Sequence, residues 1–126
     1  MIVKIAVLIA YALVNILHAY LDAQSIRMGY RIYHGINGAI HLITVLLISF
    51  LLGNYIFGIG LLALRRIVFD TALNLFRGLR FDYISSTTTS IIDRISYRIQ
   101  SKVGYIPYYG LFFIIIILTT IYHGKS

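Results

Sequence analysis

LRRIVFDTALNLFRGLR, running from Leu64 to Arg80, is apolar enough for a buried helix and too charged for an inert one. Arg66, Asp70, Asn74 and Arg77 follow one another at spacings of four, four and three, which places them on one helical face. Charged side chains inside a bilayer are expensive. They face a bundle interior or a wet cavity, so an intramembrane Asp with Arg and Asn neighbours marks a functional site.

The composition makes lipid the expected solvent for this helix. Of 126 residues, 60% are hydrophobic and only 12% charged, and the mean hydropathy is +0.86, outside the range of ordinary soluble domains. The absence of cysteine removes disulfides, thiolate metal sites and Cys nucleophiles. The formal charge of +7 comes from cations that flank or interrupt apolar runs. Their expected partners are the lipid bilayer and its anionic headgroups, not nucleic acid. Tyrosine takes the place of tryptophan as interfacial aromatic, with Tyr20, Tyr30, Tyr55, Tyr83, Tyr105 and Tyr122 near the ends of apolar runs.

These runs predict an all-α integral membrane protein of one domain, with four transmembrane helices over about 2–22, 35–52, 55–79 and 107–123. Gly53-Asn54 offers a turn between the second and third. Residues 90–103 form an interfacial segment in which Ile91, Ile95, Ile99 and Val103 recur every four positions beside Arg94, Arg98 and Lys102. The alternative is three spans, with 38–64 as one helix of about 40 Å and 65–80 as a basic amphipathic helix at the interface. In the four-span arrangement Arg27, Arg31, Arg77, Arg80, Arg94, Arg98 and Lys102 share one side, so the polar loop 81–104 is expected in the cytoplasm.

Polar residues then converge in one leaflet. The first helix offers Asn15, His18 and Asp22, the second His34, Asn37 and His41, the third Asp70, Asn74 and Arg77, each set on one face. Imidazoles and carboxylates from three helices suit a divalent metal, zinc, manganese or iron, held by His18, His34, His41 and Asp70, with Asn15, Asn37 and Asn74 orienting the ligands. Asp22 would act as general base or ligand, and Arg77 would stabilise developing negative charge. Arg80, Arg94 and Arg98, with the hydroxyls of residues 85–90, suit a phosphate or a lipid headgroup. A purely structural account has Asp70 neutralise Arg66 or Arg77. The glycine pairs Gly35/Gly38 and Gly58/Gly60 match no phosphate loop and are expected at close helix contacts.

The leading expectation is therefore a small, metal-dependent membrane hydrolase acting on a lipid or phosphate-bearing amphiphile at the cytoplasmic leaflet. One alternative is a pore-forming, holin-like or structural protein whose polar stripes line a channel or join the subunits of a homo-oligomer. Another is a haem-binding membrane anchor, with His18 and His41 as axial ligands.

Overall fold

Five helices, and among the described residues no strand, make up the computed structural model, which describes residues 1–32, 34–84 and 91–122, without the side chain of His34. They are α1 (Ile2–Arg27), α2 (His34–Leu52), α3 (Tyr55–Phe76), α4 (Ile91–Val103) and α5 (Tyr105–Ile121). α1 and the Gly35–Leu52 portion of α2 are long and apolar enough to cross a membrane, consistent with a membrane protein. α4 and α5 together would supply a third such segment, but they are bent by 119° at Gly104. α3 is 22 residues long, and the charges of Arg65, Arg66 and Asp70 in its second half keep it from qualifying by composition.

The chain turns where Gly53 takes φ 62 and the Asn54 side chain accepts from the Phe57 amide at 3.0 Å, so the continuous 38–64 helix of the three-span alternative does not form. Other boundaries shift. α1 runs a turn past residue 22 because Ala23–Arg27 still follows the helical pattern, and α3 stops at Phe76, before the predicted 79, because Gly78 adopts φ 72.

α3 is the centre of the bundle. α1, α2 and α5 each pack on it, and α4 packs on α5. The contact with α2 brings Gly58 against Ser49 and Val45; that with α5 brings Gly60 against Thr119 and the Ile116 backbone. A Cβ at either glycine would run into the Ser49 or Thr119 hydroxyl, each of which donates at 2.7 Å to a carbonyl of its own helix. Gly35 and Gly38, by contrast, face open space, so the close-packing expectation applies to only one of the two pairs. Two apolar clusters fill the bundle, Tyr11, Val45, Phe57 and Leu61 on one side of α3 and Ala63, Ile67 and Ile116 on the other.

Successive long helices run in opposite directions. Lys4 Nζ donates to the carbonyls of Thr120 (3.2 Å) and Tyr122 (2.7 Å), joining the start of α1 to the end of α5. At the opposite end, the Arg27 guanidinium of α1 donates to the Phe76 carbonyl, the last residue of α3. The surface is inverted relative to a water-soluble bundle: Leu13, Leu17, Ile43, Phe50, Ile114 and Ile117 point outward while Asn15, Ser49, Asn74 and Thr119 are buried. α4 follows the same rule. Its buried Ser96 and half-buried Asp93 and Gln100 form one stripe, and Ile91, Ile92, Ile95, Ile99 and Val103 are exposed.

Candidate functional site

The face of α1 that meets α2 and α3 carries Tyr11, Asn15, His18 and Asp22 at spacings of four, three and four. Asn15 is completely buried and joins two helices, its Nδ2 donating to the Tyr11 carbonyl at 2.8 Å and its Oδ1 accepting from Arg65 NH1 at 2.7 Å. The Arg65 guanidinium lies over the Phe69 ring, 4.3 Å from its centre. Among the described residues it makes no ion pair.

Across the cleft, His41 of α2 faces the same stripe. Its Nε2 is 3.0 Å from His18 Nδ1, and the two imidazoles stack at 14° with centres 5.0 Å apart. Its Nδ1 is 3.2 Å from the Tyr11 hydroxyl, and His18 Nε2 is 3.4 Å from Asp22 Oδ1. The acceptor at one end sets the tautomers along the whole chain. A carboxylate at Asp22 requires the His18 proton on Nε2; His18 Nδ1 then accepts from His41 Nε2–H, and His41 Nδ1 accepts from the Tyr11 hydroxyl. Every donor thus points toward Asp22, and shifting each proton by one bond moves a proton from the Tyr11 hydroxyl to the carboxylate. A nucleophile or acid, a base and an orienting group within hydrogen-bond reach is the arrangement of an activated hydroxyl.

Two clefts meet at this chain. One, of about 660 Å³, is lined by α1 and α2 alone and is almost wholly apolar, from Val7 and Leu52 up to Tyr11, His18, Asn37 and His41. The other, of about 1010 Å³, opens among all five helices and is lined by Asp22, Arg65, Arg66, Asp70, Arg77 and Asp93. Asn37 and His41 line both.

The remaining predicted residues are placed as follows. Asp70 pairs with Arg66 at 2.8 Å, and Arg66 also holds Asp93 of α4 at 2.7 Å and donates to the Tyr108 hydroxyl at 3.3 Å. Asn74 supports the chain after α3 instead of a metal ligand, its Nδ2 donating to the carbonyls of Phe81 (3.0 Å) and Tyr83 (2.9 Å). Arg77 caps α3 at the mouth of the larger cleft. Arg80 pairs with Asp82 at 2.7 Å, while Arg94 and Arg98 are exposed on α4. The side chain of His34 and the hydroxyl run 85–90 lie outside the described residues.

Of the four proposed metal ligands, the structure brings His18 and His41 together and adds Asp22. Among the described residues, no three His or Asp side chains are grouped so that they could hold an ion. Sequence reasoning missed Tyr11 and Arg65. Tyr11 had a signal: unlike the interfacial tyrosines it lies in mid-run, in register with Asn15, His18 and Asp22. Comparison with protein-family models, curated proteins and solved structures finds no match to this chain.

Proposed function

We propose that this is a four-span integral membrane enzyme that hydrolyses an amphiphilic, lipid-like substrate at the cytoplasmic leaflet, with Tyr11, His41, His18 and Asp22 as its acid–base chain. The observation that carries this reading is the hydrogen-bonded run from the Tyr11 hydroxyl through His41 to His18, with the Asp22 carboxylate 3.4 Å beyond it, beside an apolar cleft. In it, His41 takes the Tyr11 proton as the phenolic oxygen bonds to the phosphorus or acyl carbon of the substrate, and returns it to the alcohol that leaves as the substrate's ester bond breaks. A water deprotonated by His41 then cleaves the tyrosyl intermediate and restores the Tyr11 hydroxyl, while His18 and Asp22 orient His41 and disperse the charge.

Four spans are supported by the alternating helix directions and by the internal partners of the charges on α3. Arg65 bonds Asn15 and stacks on Phe69, and Arg66 holds two carboxylates, so α3 can lie in lipid at the bundle centre. Two observations favour an enclosed site over the other readings. The polar chain stops at Tyr11, which belongs to the dry cluster of Val45, Phe57 and Leu61, whereas a pore through the bundle needs a continuous polar path. The His18 and His41 rings bond each other, whereas axial haem ligands stand on opposite faces of the iron.

Topology is tested by labelling. Because the chain lacks cysteine, Ser86→Cys and Ser126→Cys each introduce one thiol, and a membrane-impermeant reagent is expected to reach them from opposite sides of sealed vesicles. Reaction of both from one side removes the four-span reading.

Turnover is tested in proteoliposomes on a panel of alkyl phosphates and alkyl esters, with chelator and then with zinc, manganese or iron added. Hydrolysis that survives the chelator assigns the chemistry to the acid–base chain. Hydrolysis that needs one ion instead removes the acid–base chain as the reacting machinery. A panel with no turnover under either condition overturns the enzyme reading.

A further inference from the structure

The two clefts share Asn37 and His41, and their linings differ sharply in chemistry. Below these residues the space between α1 and α2 is walled by Ala10, Val14, Ile40, Thr44, Ile48 and Leu51. A space of that kind inside a bilayer is filled by hydrocarbon, because no polar group there repays the burial of water. Above them the larger cleft holds three guanidiniums. Asp70 and Asp93 both pair with Arg66, and Asp22 is engaged by His18. Arg65 and Arg77 make no ion pair among the described residues; Asp22 and Asp70 attract Arg65 through space without touching it, so its guanidinium faces this cleft with no carboxylate in contact.

We infer that the two clefts form one binding site for an amphiphile with a single hydrocarbon tail and a phosphate head. The tail lies between α1 and α2, the phosphate lies against Arg65, and the linkage between them crosses Asn37 and His41. Arg suits this role because its fork of donors matches phosphate oxygens, and Arg65 has only Asn15 as hydrogen-bond acceptor among the described residues. The assignment rests on the proposed membrane insertion and on His41 as the reacting centre, and it supplies the substrate class for that site.

The test uses binding, so that it is separate from turnover. Dodecyl phosphate carrying a diazirine at the chain end is added to the protein in phosphatidylcholine nanodiscs, irradiated, and the labelled positions are mapped by mass spectrometry. Labelling is expected on Val7, Ile48, Leu51 and Leu52, competed by unlabelled dodecyl phosphate and not by dodecanol or inorganic phosphate. Arg65→Gln is expected to lower the labelling about tenfold or more, as the loss of a charge-assisted bond implies. Thr44→Trp, which fills the apolar cleft from the exposed side of α2, should abolish it in protein with an unchanged melting temperature. Labelling spread over the outward faces of α1, α2 and α5, or equal competition by dodecanol, overturns the site. Mapped labelling without hydrolysis sustains this site and removes the catalytic reading; hydrolysis without mapped labelling does the reverse.

Discussion

Arg66→Met is expected to destabilise the bundle by about 3 kcal/mol. Arg66 lies one-sixth exposed between Asp70 at 2.8 Å and Asp93 at 2.7 Å, and its Nε donates to Tyr108. Removing it takes from two partly buried carboxylates the guanidinium they share. Breaking a buried ion pair from one side costs about 3–5 kcal/mol, because the remaining charge keeps its desolvation penalty. The partial exposure of both aspartates places the expected value near the lower end.

The series around Arg66 is what makes the experiment informative. Asp70→Asn should have a smaller effect than Arg66→Met, since Asp93 still neutralises the guanidinium. The triple variant Arg66→Met/Asp70→Asn/Asp93→Asn should recover most of the loss, because the two carboxylates that shared the guanidinium are neutralised with it. Thermal unfolding in detergent micelles gives the ranking. Equal losses for Arg66→Met and the triple variant would show that the side chain stabilises by packing and not by charge. The Arg66–Asp93 pair ties α3 to α4, so Arg66→Met is also expected to raise protease cleavage within 91–103.

His41→Gln is expected to lower hydrolysis in the proteoliposome assay by about 10²–10⁴, the usual contribution of a positioned acid or base. His41 Nδ1 and Nε2 touch Tyr11 and His18, so it is the only member of the chain whose loss separates the hydroxyl from both downstream groups. Tyr11→Phe should fall by a similar factor, and the double variant should be no worse than either single one, because groups that act as a unit are non-additive. Asp22→Asn should have a milder effect, since an amide oxygen can still accept from His18 while no longer supporting its positive form. Glutamine keeps a donor and an acceptor near the His41 positions, so the melting temperature should change little. A full rate in both His41→Gln and Tyr11→Phe would sink the acid–base chain as the reacting machinery.

Much of the architecture was legible in composition and periodicity. Long apolar runs bounded by tyrosine and cations predict membrane helices, Gly53-Asn54 predicts the turn before α3, and the four-residue recurrence of isoleucine predicts α4. The stripe of Asn15, His18 and Asp22 was visible as well, because helical spacing alone puts these residues on one face. Its pairing with His41 follows from antiparallel neighbours of similar length, in which position 18 of the first run and position 41 of the second come to similar depth.

The partners of α3 were not legible. Arg65 and Arg66 are adjacent in sequence, yet a helix turns about 100° per residue, so one reaches Asn15 on α1 and the other Asp93 on α4. Which of them faces the histidines depends on the rotation of α3 about its own axis. That rotation is set by Gly58 against Ser49 and by Gly60 against Thr119, contacts between residues separated by many positions and by no sequence period. Sequence therefore determined that α3 carries a polar stripe and that its neighbours include helices apolar enough for a membrane. Tertiary packing decided that Arg66 also takes Asp93, that Arg65 joins the site, and that Tyr11 completes it, because only the seating of small residues between helices selects one rotation from several of equal amphipathicity.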